Sequence, residues 1–197
     1  AQNIAHLLDD KPFFIVGFSL GGNFALRIAL RKEVSESRNL RHVISISPAL
    51  DPYKATIAID NGLPLYRYYF LRKWLRSLKI KQKLFPRVYE FNDIFKMKTL
   101  MEITDYIIPR HSPFRDHKEY FNTYTLSGNI FADLSIPVTI ITAEDDPVVP
   151  VNDFHRLQDH DKLHLLLQCY GGHCGFIDPF PSGCWYERKI YNILKKY

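Results

Sequence analysis

Pro12-Phe13-Phe14-Ile15-Val16-Gly17-Phe18-Ser19-Leu20-Gly21-Gly22-Asn23-Phe24-Ala25-Leu26-Arg27-Ile28-Ala29-Leu30-Arg31 is the stretch on which the fold turns. Its apolar run, Phe13 to Val16, reads as a buried strand. After Gly17-Phe18-Ser19-Leu20-Gly21-Gly22, apolar residues resume at helical spacing through Phe24, Ala25, Ile28 and Ala29, so the reading is strand, tight turn, helix over about 20 to 32. The turn contains G-x-S-x-G centred on Ser19. A strand that turns directly into a helix holds its Ser in a strained backbone conformation and pushes the hydroxyl outward, and glycines beside it let strand and helix approach closely. At the N-terminus of its helix, Ser19 is a candidate nucleophile. The backbone N–H of Leu20 is a candidate donor to an oxyanion there.

Working outward, Glu33 to Asn39 is a polar link, and His42-Val43-Ile44-Ser45-Ile46-Ser47 is a second β-branched strand closed by Pro48. A right-handed crossover lays it beside the first. The segment 51–129 changes character and reads as a helical cap inserted between strands of one sheet, because it is too long for an ordinary connection. Within it, Tyr66 to Leu84 has Leu71, Trp74, Leu75 and Leu78 on one helical stripe. Residues 94 to 106 also read as helical, with Pro109 and Pro113 expected to force a loop. Tyr120, Phe121 and Tyr124 form an aromatic packing group.

The sheet pattern returns at 136 to 142 and ends in Glu144-Asp145-Asp146-Pro147. A helix over about 152 to 159, a strand at 163 to 168 and the glycine-rich loop around His173 follow. A helix over 184 to 197, with Trp185, Ile190, Ile193 and Leu194 inward, closes the chain. Four parallel strands and helices make this an α/β fold.

Composition narrows the partners. The net charge of +5 is modest and uneven: Leu65 to Tyr89 carries eight Lys or Arg and no Asp or Glu. This local basic face, with Tyr68, Tyr69, Phe70 and Trp74 beside it, is either an ordinary solvated surface or a peripheral contact with anionic lipid through 65–84. No nucleic-acid partner is implied. Three cysteines, Cys169, Cys174 and Cys184, exclude a complete disulfide framework. They point to a reducing, cytoplasmic setting, and peripheral access to membranes would come through 65–84. Cys169 and Cys174 are expected as buried packing rather than a redox pair. His155, His160 and His164 lack regular ligand spacing, so neither metal nor cofactor is implied.

Ser19, an Asp at 145 or 146, and His173 end three presumed parallel strands, in the chain order Ser, Asp, His of the α/β-hydrolases. The chemistry needs each type: an imidazole must take the proton of a weakly nucleophilic hydroxyl, and a carboxylate must hold the imidazole tautomer. Gly17-Phe18-Ser19-Leu20-Gly21-Gly22-Asn23, Glu144-Asp145-Asp146-Pro147-Val148-Val149-Pro150 and Gly171-Gly172-His173-Cys174-Gly175-Phe176 resemble the signature stretches of the YheT-like α/β-hydrolases, a group that includes abhydrolase-domain lipases. Met101 to Tyr106 through Tyr120-Phe121 is similar to their cap, and Trp185-Tyr186-Glu187-Arg188 to their closing helix.

The resemblance implies an α/β-hydrolase fold with Ser19 as nucleophile and His173 as base. It favours Asp146, four residues before Pro150, as the acid, with Asp145 the alternative. The implied activity is serine-dependent hydrolysis of carboxylic esters, with an ester or acyl-lipid substrate. Against the family pattern, the strands before the Ser and the loop with a second oxyanion donor have no counterpart here, and loss of one such donor costs about 2.7–4 kcal/mol.

With no initiator Met, and with Ile4, Ala5, Leu7 and Leu8 reading as the end of an amphipathic helix, the expectation is the C-terminal part of a longer hydrolase, a single partial domain over 1–197. Its N-terminal strands would be missing, leaving Phe13 to Val16 as an exposed apolar edge that the rest of the protein, or another chain, completes. The competing readings are a non-catalytic, hydrolase-like binding module and a peripheral lipid-binding protein.

Overall fold

A computed structural model describes residues 7–8, 11–32, 39–178 and 183–197. Most of the opening helix and the 33–38 link expected from the sequence lie outside the described residues. The chain divides into two compact units, Ala1–Pro52 with Tyr124–Tyr197, and Tyr53–Thr123.

The first unit is a four-stranded parallel sheet in the order β1 (Phe13–Phe18), β2 (Leu40–Ile46), β3 (Val138–Ala143) and β4 (Leu163–Gln168). Burial follows position in the sheet. Every residue of β3 is buried and β2 exposes only Arg41, so both central strands are buried on both faces, as in a covered parallel sheet. β1 pairs only with β2 among the described residues, and Val16 and Phe18 are exposed on it. The apolar edge expected over Phe13 to Val16 is thus exposed only at Val16: Phe13 is buried and Phe14 and Ile15 are half-buried.

Helix α1 (Leu20–Ala29) follows β1 and buries Gly22, Asn23, Ala25, Leu26 and Ala29. The last helix of the chain, Trp185–Leu194, packs Trp185, Ile190 and Ile193 against Ile44, Ile46, Ile141 and Phe176. The helix expected over 152 to 159 is only a 3₁₀ turn, Val151–Asp153. Phe154 is the one fully buried side chain in that region, and a single anchor does not supply the apolar stripe that sustains a longer helix. Two-residue strands β5 (Ile177–Asp178) and β6 (Gly183–Cys184) pair antiparallel beyond the His173 loop.

The second unit is helical: α2 (Pro52–Asn61, which begins at the boundary residue), α3 (Pro64–Leu84), α4 (Leu100–His111) and α5 (His117–Asn122). Leu71, Trp74, Leu75 and Leu78 of α3 pack with Phe91, Ile94 and Ile103, as their spacing predicts. The helix expected over 94 to 106 instead begins at Leu100 and runs through Pro109. Its start is set by a capping box, in which Thr99 Oγ1 accepts from Glu102 N (3.1 Å) and Glu102 Oε2 accepts from Thr99 N (3.2 Å). Buried Asp60 accepts from the N–H groups of Leu100 (2.8 Å) and Met101 (2.9 Å). Pro109 falls in the last turn, where it removes one intrahelical bond without ending the helix.

Candidate active site

All four strands run the same way, so their C-terminal ends share one edge of the sheet, and each contributes a loop there. Ser19 follows β1 directly with φ 51° and ψ −120°. Its N–H donates to Ile46 O (2.8 Å) and its carbonyl accepts from Asn23 N (3.1 Å), so strand pairing and helix hold the strained residue from both sides.

Two glycines make this turn sterically possible, and they are not the pair that the motif pattern marks. A Cβ on Gly17 would lie 2.3 Å from Gly21 O, and one on Gly22 would lie 2.6 Å from Ser45 Oγ. A Cβ on Gly21 would meet nothing within 4 Å. On the helix side the need for a glycine therefore falls three residues after Ser19, since a side chain on Gly22 would meet β2 on the buried side of α1 while one on Gly21 would face outward.

His173 lies in the turn after β4. Its Nε2 is 2.9 Å from Ser19 Oγ, and its Nδ1 is 3.0 Å and 3.2 Å from Asp146 Oδ2 and Oδ1. The three residues expected from sequence thus form one hydrogen-bonded line. With a carboxylate acceptor at Nδ1, that nitrogen carries the proton of the neutral ring and Nε2 is free to accept from the hydroxyl. The Asp146 side chain is fully buried, and its Oδ1 also accepts from Val148 N (2.8 Å) and Val149 N (3.0 Å).

Asp145 is placed differently: its Oδ1 accepts from Gly171 N and Gly172 N, both at 2.8 Å. It holds the histidine loop rather than the histidine. Gly171 is needed there because a Cβ would sit 2.5 Å from the Phe176 ring, and Gly172 has φ +53°. Cys174 N donates to Ser47 Oγ (3.3 Å), fastening the loop to the end of β2. Cys174 and Cys184 are half-buried and Cys169 is exposed, which corrects the expectation that Cys169 is core packing. All three thiols are free.

Two buried histidines respond in opposite directions. Burial works against a charged His173, but the hydrogen bond and charge of Asp146, with the Cys174 thiol alongside, outweigh it and raise the ring to about 9. His42, on β2, is pushed down to about 4 by burial and by the neighbouring positive charges of His164 and Lys196.

Sequence reasoning missed Asn23, which is fully buried one turn into α1. Its Nδ2 donates to Ala49 O and Tyr124 O, both at 2.8 Å, tying α1 to the two chain segments that flank the helical unit. A polar residue four positions after Ser19, within the buried stripe of an amphipathic helix, is the signal that marks it.

A strained Ser at a strand-to-helix turn is thus bonded to a His that is bonded to a buried Asp, at the C-terminal ends of β1, β4 and β3 of one parallel sheet. The alpha/beta hydrolase fold family matches residues 2–179, and the chain belongs to it. It is 21% identical to phospholipase ABHD3 of Mus musculus over 195 residues, covering 96% of this chain and 47% of that protein. It is 27% identical to monoacylglycerol lipase ABHD2 of Danio rerio over 188 residues, covering 89% and 44%. The chain thus spans about half the length of the curated relatives it matches.

Among solved structures, a Pyrococcus furiosus esterase, Pf2001, superposes with a TM-score of 0.50 at 15% identity, over 100% of this chain and 60% of that one. A Staphylococcus aureus protein of unknown function gives 0.53 at 16%, over 99% and 68%. These likenesses establish the fold.

Proposed function

We propose that this chain carries the catalytic half of a carboxylic ester hydrolase of the YheT-like branch, acting on apolar acyl esters. Ser19 Oγ attacks the ester carbonyl while His173 Nε2 takes its proton. Asp146 holds the ring through Nδ1 and stabilises the imidazolium that forms. The Leu20 N–H, at the start of α1, donates to the oxyanion. Collapse of the tetrahedral intermediate breaks the bond to the alcohol, which leaves with the proton from His173. Water, deprotonated by the same ring, then frees the acid and restores Ser19.

The observation that carries this reading is the line of short contacts from Ser19 Oγ through His173 to Asp146, at 2.9 Å and 3.0 Å, on a serine held at φ 51°. The names of the relatives, a phospholipase and a monoacylglycerol lipase, support acyl lipids as the substrate class. In this reading the helical unit is a cap that selects the acyl group, with 65–84 in peripheral contact with the membrane that holds the substrate. The exposed edge of β1 takes a further strand, from the rest of the protein or from another chain, and with it a second oxyanion donor. The three free thiols fit a reducing, cytoplasmic location.

The test is intact mass after incubation with a fluorophosphonate, for the parent chain and Ser19→Ala. One covalent adduct in the parent, absent from the variant, is the expected result. A folded parent that takes no adduct overturns the reading for this chain.

A further inference from the structure

α3 has an outer face that its packing does not explain. The helix is 21 residues long, or about 31 Å at 1.5 Å per residue. Its inner stripe is consumed by the core of the helical unit. The outer face is organised along its length. Leu65, Tyr68 and Tyr69 stand exposed in the first turns, with Leu65 at 75% and Tyr68 at 61%, and Leu84 and Phe85 are exposed at the other end, Leu84 at 66%. Between them lie Arg72, Lys73, Arg76 and Lys79, all exposed. At 100° per residue, Leu65, Tyr69, Arg72, Arg76 and Lys83 fall within about 60° of one another on this face, and Ile80 and Leu84 lie about 60° and 100° round from Leu65, away from the inner stripe.

No acid interrupts the helix, and Arg72, Arg76, Lys79 and Lys83 make no ion pair with any described residue. A solvated helix face ordinarily mixes both signs, which relieves repulsion and adds i,i+4 pairs. This one forgoes both and exposes large apolar groups instead.

We infer that the outer face of α3 docks on an anionic phospholipid bilayer, with the basic centre over the headgroups and the apolar ends entering the acyl boundary. Charge complementarity selects the partner. Eight Lys or Arg and no Asp or Glu between Leu65 and Tyr89 match a negatively charged leaflet and repel a second copy of the same face. The aliphatic ends separate a bilayer from a nucleic acid, because Leu65, Ile80 and Leu84 gain by entering hydrocarbon and gain nothing from a phosphodiester chain. The tyrosines suit the headgroup level, where an apolar ring and a polar hydroxyl are both accommodated. The helix lies on the membrane and does not cross it: no helix among the described residues is long and apolar enough to span. The inference deepens the proposed hydrolase reading, since it brings the chain to where acyl lipids are, but the binding itself needs no catalysis.

The experiment is flotation of the whole chain with vesicles of phosphatidylcholine alone, and with about one-quarter of the lipid replaced by phosphatidylserine. Each basic residue near such a surface contributes about 1 kcal/mol, which is about fivefold in partition. Arg72→Gln/Arg76→Gln/Lys79→Gln is therefore expected to bind the anionic vesicles about 100-fold more weakly than the parent. Leu65→Ser/Leu84→Ser is a second variant, which keeps every charge. It is expected to lose the binding that persists at high salt, where the Debye length falls to about 3 Å. Equal binding to both vesicle types overturns the inference. So does unchanged binding by the triple variant, or a parent that ignores vesicles and binds an RNA oligonucleotide through the same arginines. Fluorophosphonate labelling of the same samples keeps the two readings apart. Vesicle binding without an adduct refutes only the hydrolase reading, and an adduct without vesicle binding refutes only the docking face.

Discussion

Replacing Gly17, Gly21 and Gly22 by alanine, one at a time, separates a glycine that the motif contains from a glycine that the packing requires. On Gly17 the new methyl would meet Gly21 O at 2.3 Å, Gly21 C at 2.7 Å and Gly22 Cα at 2.9 Å. All three are main-chain atoms, so no rotamer relieves the clash, and β1 and α1 must separate by about 1 Å to restore carbon contacts of 3.5 Å or more. Overpacking costs about 1–3 kcal/mol where side chains can yield. Here they cannot, and Gly17→Ala is expected to cost at least about 3 kcal/mol, a large share of the roughly 5–15 kcal/mol that holds a domain folded. On Gly22 the nearest atom is Ser45 Oγ, at 2.6 Å, with Pro48 Cβ at 3.2 Å. That hydroxyl has no hydrogen-bond partner and can turn away without losing one, so about 1–2 kcal/mol is expected. On Gly21 the methyl enters open space within a helix, where alanine gains about 0.4–1 kcal/mol. The assay is urea denaturation of the three variants and the parent, compared by midpoint at equal slope. A Gly17→Ala protein within about 0.5 kcal/mol of the parent, or a Gly21→Ala protein less stable than Gly22→Ala, refutes the packing argument.

Two further predictions concern the charges at the site. Only neutral His173 can take the Ser19 proton, and its acid form persists to about pH 9, so the rate of fluorophosphonate labelling is expected to rise between pH 7 and 9. Asp146→Asn removes the raising influence and leaves burial, so any residual activity has its midpoint moved to lower pH. The same shift makes the His173–Asp146 contact a stabilising one that is fully present below about pH 6.5 and lost as pH rises through about 9, measurable as a falling urea midpoint. The second prediction assigns the acid. Asp146→Asn is expected to lower turnover about 10⁴-fold, the order that loss of the carboxylate of such a triad costs. Asp145→Asn weakens the hold on two loop N–H groups and is expected to cost about 10-fold, since a hydrogen bond to a charged group is worth about 1.5–3 kcal/mol and the amide oxygen keeps part of it. Ester turnover by both variants checks this, and the reverse order reassigns the acid.

Much of the first unit was legible because its signals are local. A short apolar run bounded by polar or turn residues marks a strand locally, and the Phe13–Val16, 42–47, 136–142 and 163–168 runs all became strands, shifted by two residues at most. The strand-to-helix turn at Ser19 was legible for the same reason, and so was the inner stripe of α3. The errors lie where a distant group decides. α4 starts at Leu100 because Asp60, forty residues earlier, caps it together with Thr99. It continues past Pro109 because a proline in a last turn removes only one bond. α2 went unread although Asp51 followed by Pro52, a polar residue before a proline at the first helical position, is a local start signal.

The sequence by itself determined the residue types of the candidate site and their chain order, because a hydroxyl, an imidazole and a carboxylate are chemically distinct and each sits beside glycine or proline punctuation that local sterics make readable. Between the adjacent carboxylates only the resemblance favoured Asp146, with Asp145 the alternative, since the two are equivalent in any local pattern. Only the tertiary structure gave them different partners: the turn after β3 points one at the backbone of Gly171 and Gly172 and the other at His173 Nδ1. The same holds for Gly22 over Gly21 and for the buried role of Asn23. Which side of a helix meets a neighbouring strand, and which of two adjacent side chains meets a ring 27 residues away, are set by long-range packing. Chain order carries no record of that packing, because the contacts exist only once the sheet has formed.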